Sequence, residues 1–190
     1  MVKISKVVSV VAATVCLAIG ASGGRPLAIK PPDTGYGWGS LIYDDECYSA
    51  EEAQDGTTTC VMETTPKELP WAAMVAFILD DMHKVRQVSV AGAPIQDDLD
   101  GLAGKAFFYA RLKALTATYG SPHTLVDVTA NTCGVGSGVF YECLQQNDNI
   151  LLVALWSARD GSTLSLRLCG ASDYGGFLAE SYESTGAEDR

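Results

Sequence analysis

Residues 149–170 read NILLVALWSARDGSTLSLRLCG, and this stretch decides the fold that the sequence predicts. It begins with an apolar run, turns at Asp160 and Gly161, and ends in LSLRL, where leucines alternate with polar residues. An Asp-Gly pair between two such runs is a strong hairpin signal, because glycine accepts the positive φ that a tight turn requires. The stretch therefore predicts a β-hairpin with one buried face and one wetter face.

A second stretch with the same organisation lies 78 residues earlier. Residues 71–92 read WAAMVAFILDDMHKVRQVSVAG and superpose on residues 149–170 without a gap. Both consist of an apolar run, a polar turn and an alternating strand, and both end in glycine. The pattern predicts two similar hairpins and an internal duplication within a single domain that spans residues 41–183.

Between the hairpins, residues 99–115 have the periodicity of an amphipathic helix. Apolar residues recur at helical spacing: Leu99, Leu102, Ala103, Ala106, Phe107 and Ala110, with Leu115 at the end. Asp97, Asp98 and Asp100 precede or begin this segment, where carboxylates cap a helix and interact favourably with its dipole. We expect the apolar stripe of the helix to cover the sheet.

These elements together predict a two-layer α+β fold, in which an antiparallel sheet with two similar β-hairpins is covered by one main amphipathic helix. Shorter strands are predicted at residues 124–129 and 139–144, with the glycine-rich loop 134–138 before the second. A small helix is predicted at residues 174–181. Residues 24–40 are predicted to be irregular, and residues 184–190 to form a flexible tail.

The first residues have the features of a secretory signal peptide. Lys3 and Lys6 precede an apolar run over residues 7–19, and small residues follow at 18–23. We assign residues 1–23 to the signal peptide and expect an exported protein, periplasmic or secreted. A lipid anchor on Cys16 fits less well, because Val15 stands where a lipobox has a small residue. No apolar run reaches the roughly 18 to 20 residues of a membrane-spanning helix, so the mature chain is predicted to have no transmembrane segment.

The charge of the chain restricts its partners. It has 13 Lys and Arg against 23 Asp and Glu, a net charge of −10. Loss of the signal peptide removes two lysines and brings this to −12. Nucleic-acid affinity depends on basic residues that neutralise phosphates, so nucleic acid is excluded as a partner. A protein with a basic face is the favoured partner.

The cysteines agree with export. Cys47 and Cys60 form one sequence-local pair, and Cys133 and Cys143 form another; we predict that both are disulfides of an oxidising compartment. A zinc site is the alternative, but neither pair has the spacing of a zinc knuckle. Cys169 is left over, and it is either buried, paired with another chain, or reactive.

No catalytic, cofactor or metal-ligating residue is predicted. His83 lies in a hairpin turn and His123 follows a helix stop, and both are interpreted as surface residues. The loop 134–138 matches neither a nucleophile elbow nor a phosphate-binding loop. The acidic residues at 44–46 and 51–52 lack the spacing of a calcium loop and indicate a solvated surface.

Aromatic residues near the mature N-terminus provide the predicted binding site. They are Tyr36, Trp38 and Tyr43, followed by Asp44 and Asp45, and tyrosine and tryptophan are enriched in protein interfaces. The alternative is that Trp38 packs on the core. The leading hypothesis is a non-enzymatic protein-binding module of the inhibitor, immunity or envelope-assembly type.

Two other functional classes remain as hypotheses. One is a small secreted hydrolase that uses His83 or His123. The other is a carrier of a small ligand, held between the helix and the sheet.

The signal peptide, the two similar hairpins, the intervening helix and a cystine near each hairpin resemble small exported bacterial proteins of two families. These are the β-lactamase inhibitor protein type and the outer-membrane assembly lipoprotein E type. The resemblance is one of pattern over residues 43–182, and the chain departs from the second family in lacking a lipobox. It implies a repeat of helices and hairpins that binds other proteins, and it carries over no site residue.

Overall fold

The computed structural model of the chain describes residues 25–133, 140–172 and 175–185. The predicted signal peptide at residues 1–23, the glycine-rich loop 134–138 and most of the predicted tail lie outside the described residues.

Strands outnumber helices in the described fold and contain more of its residues. The strands are β1 (Ser49–Glu52), β2 (Thr58–Met62), β3 (Ala72–Leu79), β4 (Val85–Gly92), β5 (Thr124–Asp127), β6 (Leu152–Ser157), β7 (Thr163–Ser172) and β8 (Gly175–Glu183). The α-helices are α1 (Leu102–Tyr119), α2 (Thr129–Thr132) and α3 (Phe140–Gln146), and one 3-10 turn covers Asp44–Glu46.

The eight strands form one sheet in the order β1-β2-β3-β4-β8-β7-β6-β5, and every neighbouring pair is antiparallel. Both predicted hairpins are present, as β3–β4 and β6–β7. Strand β8 lies between them and pairs with β4 on one side and β7 on the other. The internal duplication itself stays a prediction.

The predicted fold class is wrong. The chain is mainly a single eight-stranded antiparallel sheet, not two hairpins under one helix. The error has a physical cause in β8, where a small helix was predicted. Leu178, Glu180 and Tyr182 alternate inward along this strand and are buried. The carboxylate of Glu180 hides the alternation, because a glutamate is almost never fully buried unless it has a charged partner.

Helix α3 also differs from the prediction, which placed a strand at residues 139–144. Its buried residues, Phe140, Tyr141 and Leu144, have the spacing of one helix face. The helix packs closely on β7: a Cβ at Gly170 would lie 2.1 Å from the carbonyl oxygen of Tyr141. Glycine is therefore required at this position for the helix to approach the sheet.

The core lies on one face of the sheet. Residues opposite each other in register share a face, and Phe77, Val88, Tyr182 and Leu164 form one such row across β3, β4, β8 and β7. All four are almost fully buried. The core also includes residues from α1, α3 and the segment around Ile29.

Helix α1 begins and ends near its predicted bounds, and of the three carboxylates predicted to cap it, Asp98 is seen to bond to its first turn. Asp98 accepts hydrogen bonds from the N–H groups of Ala103 and Gly104 at 3.0 and 2.8 Å. The predicted apolar stripe, however, faces outward: Leu102 and Phe107 are exposed.

The buried residues of α1 belong to a different face and are Gly104, Phe108 and Leu115. Arg111 adjoins this face and binds the buried Glu180. Because α1 is rich in alanine and apolar residues all round, sequence spacing alone selects the wrong face.

Both predicted disulfides are confirmed, Cys47–Cys60 and Cys133–Cys143. The first joins the segment before β1 to β2, and the second joins the residue after α2 to α3. Cys169 is free and buried. In the described part of the chain, no helix has the length and hydropathy of a membrane span.

Candidate functional site

Two of the five predicted binding residues, Tyr36 and Trp38, are partly buried against the core. The ring of Tyr36 meets the ring of Phe77 edge to face, with centroids 5.4 Å apart. The indole Nε1 of Trp38 donates a hydrogen bond to the carbonyl oxygen of Ile29 at 3.1 Å. These rings hold the N-terminal segment on the sheet, and their part in binding stays a prediction.

The other three predicted residues, Tyr43, Asp44 and Asp45, are exposed at the 3-10 turn. Glu46 orders this turn: its carboxylate accepts hydrogen bonds from the N–H of Tyr43 and the hydroxyl of Tyr36, both at 2.9 Å. Both hydrogen bonds lower the pKa of Glu46, and the bond from the N–H of Tyr43 has the larger effect. The side chain of Glu46 thus holds the 3-10 turn to which it belongs in one conformation.

The 3-10 turn lies beside the turn of the β3–β4 hairpin. Leu41 forms a β-bridge with Lys84, and the N–H of Ile42 donates to the carbonyl oxygen of His83 at 3.1 Å. The Nδ1 atom of His83 is 3.7 Å from the carboxylate of Asp44. Residues about 40 positions apart in sequence therefore form one continuous surface.

One carboxylate organises the hairpin turn. Asp80 accepts hydrogen bonds from the N–H groups of Met82 and Lys84, each at 2.9 Å, and pairs with Arg86 at 2.7 Å. Burial acts to raise the pKa of Asp80, but these bonds outweigh it and the pKa is lowered. His83 has a φ of 57°, a left-handed conformation that these bonds stabilise.

We define the hairpin-tip surface by five exposed residues in or beside these two turns: Leu41, Tyr43, Asp44, Asp45 and Met82. Its three apolar side chains retain 49%, 59% and 62% of their accessible surface for Leu41, Tyr43 and Met82. Large apolar side chains that are exposed together mark interaction sites more often than single exposed ones do. The hairpin-tip surface is our candidate functional site.

The segment that carries Tyr43, Asp44 and Asp45 is acidic. Residues 31–66 contain no Lys, Arg or His and eight acidic residues, all exposed: Asp33, Asp44, Asp45, Glu46, Glu51, Glu52, Asp55 and Glu63. Two of them lie on the edge strand β1, whose four residues are all exposed. Charges on an edge strand oppose its pairing with other chains. Residues 31–66 therefore carry only negative side-chain charge, and the bridge between Leu41 and Lys84 places one basic residue beside them.

Leu41 and Met82 were not predicted as site residues. Met82 is an isolated apolar residue in a polar turn, and Leu41 precedes the fully buried Ile42, so no local pattern shows which of these apolar residues stays exposed. The pairing of residues 39–42 with residues 83–85 brings the segment of Leu41 and Tyr43 next to the turn that carries Met82. A long-range contact of this kind leaves no local signal.

His123 and Ser157 form the only hydrogen bond between a histidine and a hydroxyl among the described residues, with Nδ1 and Oγ 3.2 Å apart. Burial and the nearby Arg25 lower the pKa of His123. A hydrolytic triad also needs a group that orients the base. No carboxylate contacts His123 in the described part of the chain. His83 lies in the other half of the sheet, next to Asp44.

The described residues contain no group of three His, Cys, Asp or Glu that could hold a metal ion. The space between α1 and the sheet, where a carrier would hold its ligand, contains the side chains of Phe108, Leu115 and Tyr182.

A buried charge network lies in the same layer. The guanidinium of Arg111 binds both carboxylate oxygens of the fully buried Glu180, and the Tyr182 hydroxyl donates to one of them at 2.5 Å. Arg111 also lies over the ring of Trp71, with 4.6 Å to the centroid. These residues attach α1 to the centre of the sheet and play a structural part.

Burial raises the pKa of the Cys169 thiol to about 12, although Arg167 acts in the opposite direction. A thiol with so high a pKa is a poor nucleophile. Of the alternatives for this residue, burial is confirmed.

Comparison with protein-family models, with curated proteins and with solved structures finds no match to this chain. The resemblance in pattern to small exported binding proteins stays an expectation.

Proposed function

We propose that the protein is an exported, non-enzymatic protein-binding module, and that it binds its partner through the hairpin-tip surface. The observation that carries this proposal is the exposure of Leu41, Tyr43 and Met82 on two hydrogen-bonded segments that pair with each other through their backbones. Ordered turns lose little conformational entropy on binding, which favours affinity.

The acidic surroundings suggest the nature of the partner. Exposed acids around an apolar centre increase the rate of association with a basic surface and disfavour acidic partners. We therefore propose a partner that places an apolar or aromatic side chain against Tyr43 and basic residues opposite Asp44 and Asp45. An inhibitor, an immunity protein and an envelope-assembly subunit all fit this description.

Export is supported by the two disulfides, since such bonds persist in oxidising compartments. The predicted signal peptide at residues 1–23 indicates the same location, periplasmic or secreted. We propose that the active form is the oxidised chain without these residues.

The test uses the tagged mature chain to capture partners from the envelope and culture supernatant of its source. A partner identified by mass spectrometry is then titrated against wild type, Leu41→Ser and Tyr43→Ser. We expect each variant to weaken binding at least tenfold, with unchanged circular dichroism.

Ile150→Ser is the matched control, because Ile150 is 45% exposed, close to the 49% of Leu41, and precedes β6 at the opposite end of the sheet. Added salt should also slow association, because it screens the charges between the partners. Equal affinities of the wild type, Leu41→Ser and Tyr43→Ser for the partner would show that the hairpin-tip surface is not the binding site.

The hydrogen bond between Ser157 and His123 keeps a hydrolase as a second candidate. A fluorophosphonate probe reacts with activated serines, so the mature chain can be treated with it and digested for mass spectrometry. Labelling of Ser157 that disappears in His123→Ala would favour the hydrolase. An unlabelled serine is the result expected of a binding module.

A further inference from the structure

The two edge strands of the sheet differ in charge. Strand β1 forms one edge and β5 the other. Strand β1 ends in the exposed Glu51 and Glu52, and charges on an edge strand oppose its pairing with other chains. Strand β5 reads TLVD, and the carboxylate of Asp127, its one acidic residue, accepts hydrogen bonds from the hydroxyls of Tyr109 and Thr129. The edge at β5 is therefore less protected against pairing than the edge at β1.

The backbone of β5 specifies what can bind at this edge. The N–H of Val128 donates to the carbonyl oxygen of Leu151 at 3.1 Å, in the register of the β5–β6 pair. Because successive residues of an antiparallel strand direct their backbone groups to opposite sides, Val126 faces β6, whereas Leu125 and Asp127 face away from it. Within the described part of the chain, β6 is the one strand that pairs with β5. The outward N–H and C=O groups are complemented by another extended strand.

Exposed apolar side chains lie at the same edge. Leu125 retains 50% of its accessible surface, and Val128 is exposed directly after the strand. The exposed Tyr109 also lies here, because its hydroxyl bonds to Asp127. Large apolar side chains that are exposed together mark interaction sites. The side chains thus favour a bound partner at the edge that the backbone leaves open.

Strand β5 of a second copy presents the same open edge, and charge selects how two copies would pair. An antiparallel pair on a two-fold axis overlaps most when Leu125 or Val126 lies on the axis. With Val126 on the axis, the two Asp127 residues are diagonal neighbours about 7–8 Å apart and repel each other. With Leu125 on the axis, they lie about 14 Å apart along the strands, which exceeds the screening length of about 8 Å at physiological ionic strength. Charge therefore favours the axis through Leu125.

Charge also favours a closed pair over a chain of copies. If β5 paired instead with β1 of another copy, Asp127 would approach Glu51 and Glu52 of that strand, and like charges on paired strands are destabilising. Head-to-tail contacts of this kind can continue without limit, whereas a two-fold contact closes. The acidic residues of β1 thus leave the two-fold pair of β5 strands as the favoured arrangement.

We infer that β5 binds β5 of a second copy of this chain, antiparallel and about a two-fold axis through Leu125, so that the two sheets continue as one. The two Leu125 residues exchange their N–H···O hydrogen bonds, and their side chains meet on one face of the joined sheet. The four residues of β5 span about 14 Å, so the contact is smaller than the roughly 800 Å² per partner of a stable complex. The dimer therefore depends on concentration. This inference does not rest on the hairpin-tip surface.

Cysteine cross-linking tests the position of the axis. Hydrogen-bonded residues of an antiparallel pair have Cα atoms about 5.5 Å apart, within the roughly 4.4–6.8 Å of a disulfide. We expect the mature Leu125→Cys chain to form a covalent dimer under mild oxidation. Val128→Cys is the matched control, because Val128 is also exposed and its two copies would lie about 20 Å apart along the strands. The free thiol of Cys169 is buried in both variants.

Two other substitutions at position 125 separate backbone pairing from an apolar contact. Leu125→Pro removes the outward N–H, a change that an edge strand tolerates, whereas Leu125→Ala keeps this group. By sedimentation, we expect the mass of the wild type to rise with concentration. It should rise further with added salt, because each copy has a net charge of −10 and salt screens the repulsion. The dissociation constant of Leu125→Pro should be at least tenfold higher than that of Leu125→Ala.

Circular dichroism melts show whether each variant is folded, and the two cysteine variants decide the question if Leu125→Pro is not. A monomeric wild type at every concentration would overturn the inference. So would equal cross-linking of Leu125→Cys and Val128→Cys, or equal dissociation constants of folded Leu125→Pro and Leu125→Ala.

Discussion

Replacing Arg111 by methionine removes the charge that faces the buried carboxylate of Glu180. The Glu180 side chain is fully buried, and after the change the Tyr182 hydroxyl would be its one remaining hydrogen-bond donor among the contacts described above. Breaking a buried ion pair from one side costs about 3–5 kcal/mol, because an uncompensated charge stays in the interior. A domain of this size has a total unfolding free energy of about 5–15 kcal/mol, so the loss would be a large part of it.

The reverse change, Glu180→Gln, should cost less. It leaves the Arg111 guanidinium partly exposed to water and stacked on Trp71. The free energy of unfolding should then fall by the value of hydrogen bonds to a charged group, about 1.5–3 kcal/mol. The double variant Arg111→Met with Glu180→Met replaces both charges by apolar chains of similar length. We expect it to be more stable than Arg111→Met alone, since an apolar pair can substitute for a buried ion pair.

Urea unfolding of these proteins and of Glu180→Met, followed by tryptophan fluorescence and circular dichroism, measures the differences; the wild type, the two single methionine variants and the double variant form a double-mutant cycle. The expected order of unfolding free energy places Arg111→Met lowest. If Arg111→Met lost less than about 1 kcal/mol, or if the two single losses simply added in the double variant, Glu180 would not depend on Arg111 and the reasoning would be refuted.

Three further predictions concern other parts of the fold. Gly170→Ala should destabilise the chain by about 3 kcal/mol or more in urea unfolding, because the new Cβ would lie 2.1 Å from a backbone oxygen of α3. Gly37→Ala is the control, because a Cβ at Gly37 would have no atom within 4 Å. Equal stabilities of the two variants would contradict the close packing of α3 on β7. Burial acts to raise the pKa of Asp98, but hydrogen bonds from Gly104 and Tyr141 outweigh burial, and the pKa is lowered in the folded chain. The ionised Asp98 therefore stabilises the fold above its pKa in the unfolded chain. This stabilisation is lost as the pH falls through the lower pKa of the folded chain. The wild type should therefore lose more stability between pH 6 and pH 3 than Asp98→Asn does, and parallel pH profiles would count against this cap. Cys169 should resist iodoacetamide at pH 8 in the native chain and react in urea, as followed by mass spectrometry; rapid native labelling would show that the thiol is accessible.

The candidate site was only partly predictable. Tyr43, Asp44 and Asp45 were selected from sequence because aromatic and acidic residues cluster there, and all three are exposed. Trp38 and Tyr36 were selected for the same reason, yet they pack on the core. Composition identifies a segment that carries binding-type residues, but the direction of each side chain depends on which ring finds a partner such as Phe77.

Local signals in the sequence determined the two hairpins, the position and N-terminal cap of α1, and both disulfides. Alternation, turn chemistry and capping act between residues a few positions apart, so the chain itself carries them. Cysteines 10 and 13 residues apart likewise pair within short loops.

Tertiary structure alone decided β8, the buried face of α1 and the hairpin-tip surface. Glu180 can be buried in a strand because Arg111, 69 residues away, compensates its charge. The same pair turns the polar Arg111 side of α1 toward the sheet and leaves the alanine face outward. The direction of each of these side chains depends on the partner that it contacts across the fold. The sequence around a carboxylate or an alanine does not show whether that partner is water or protein.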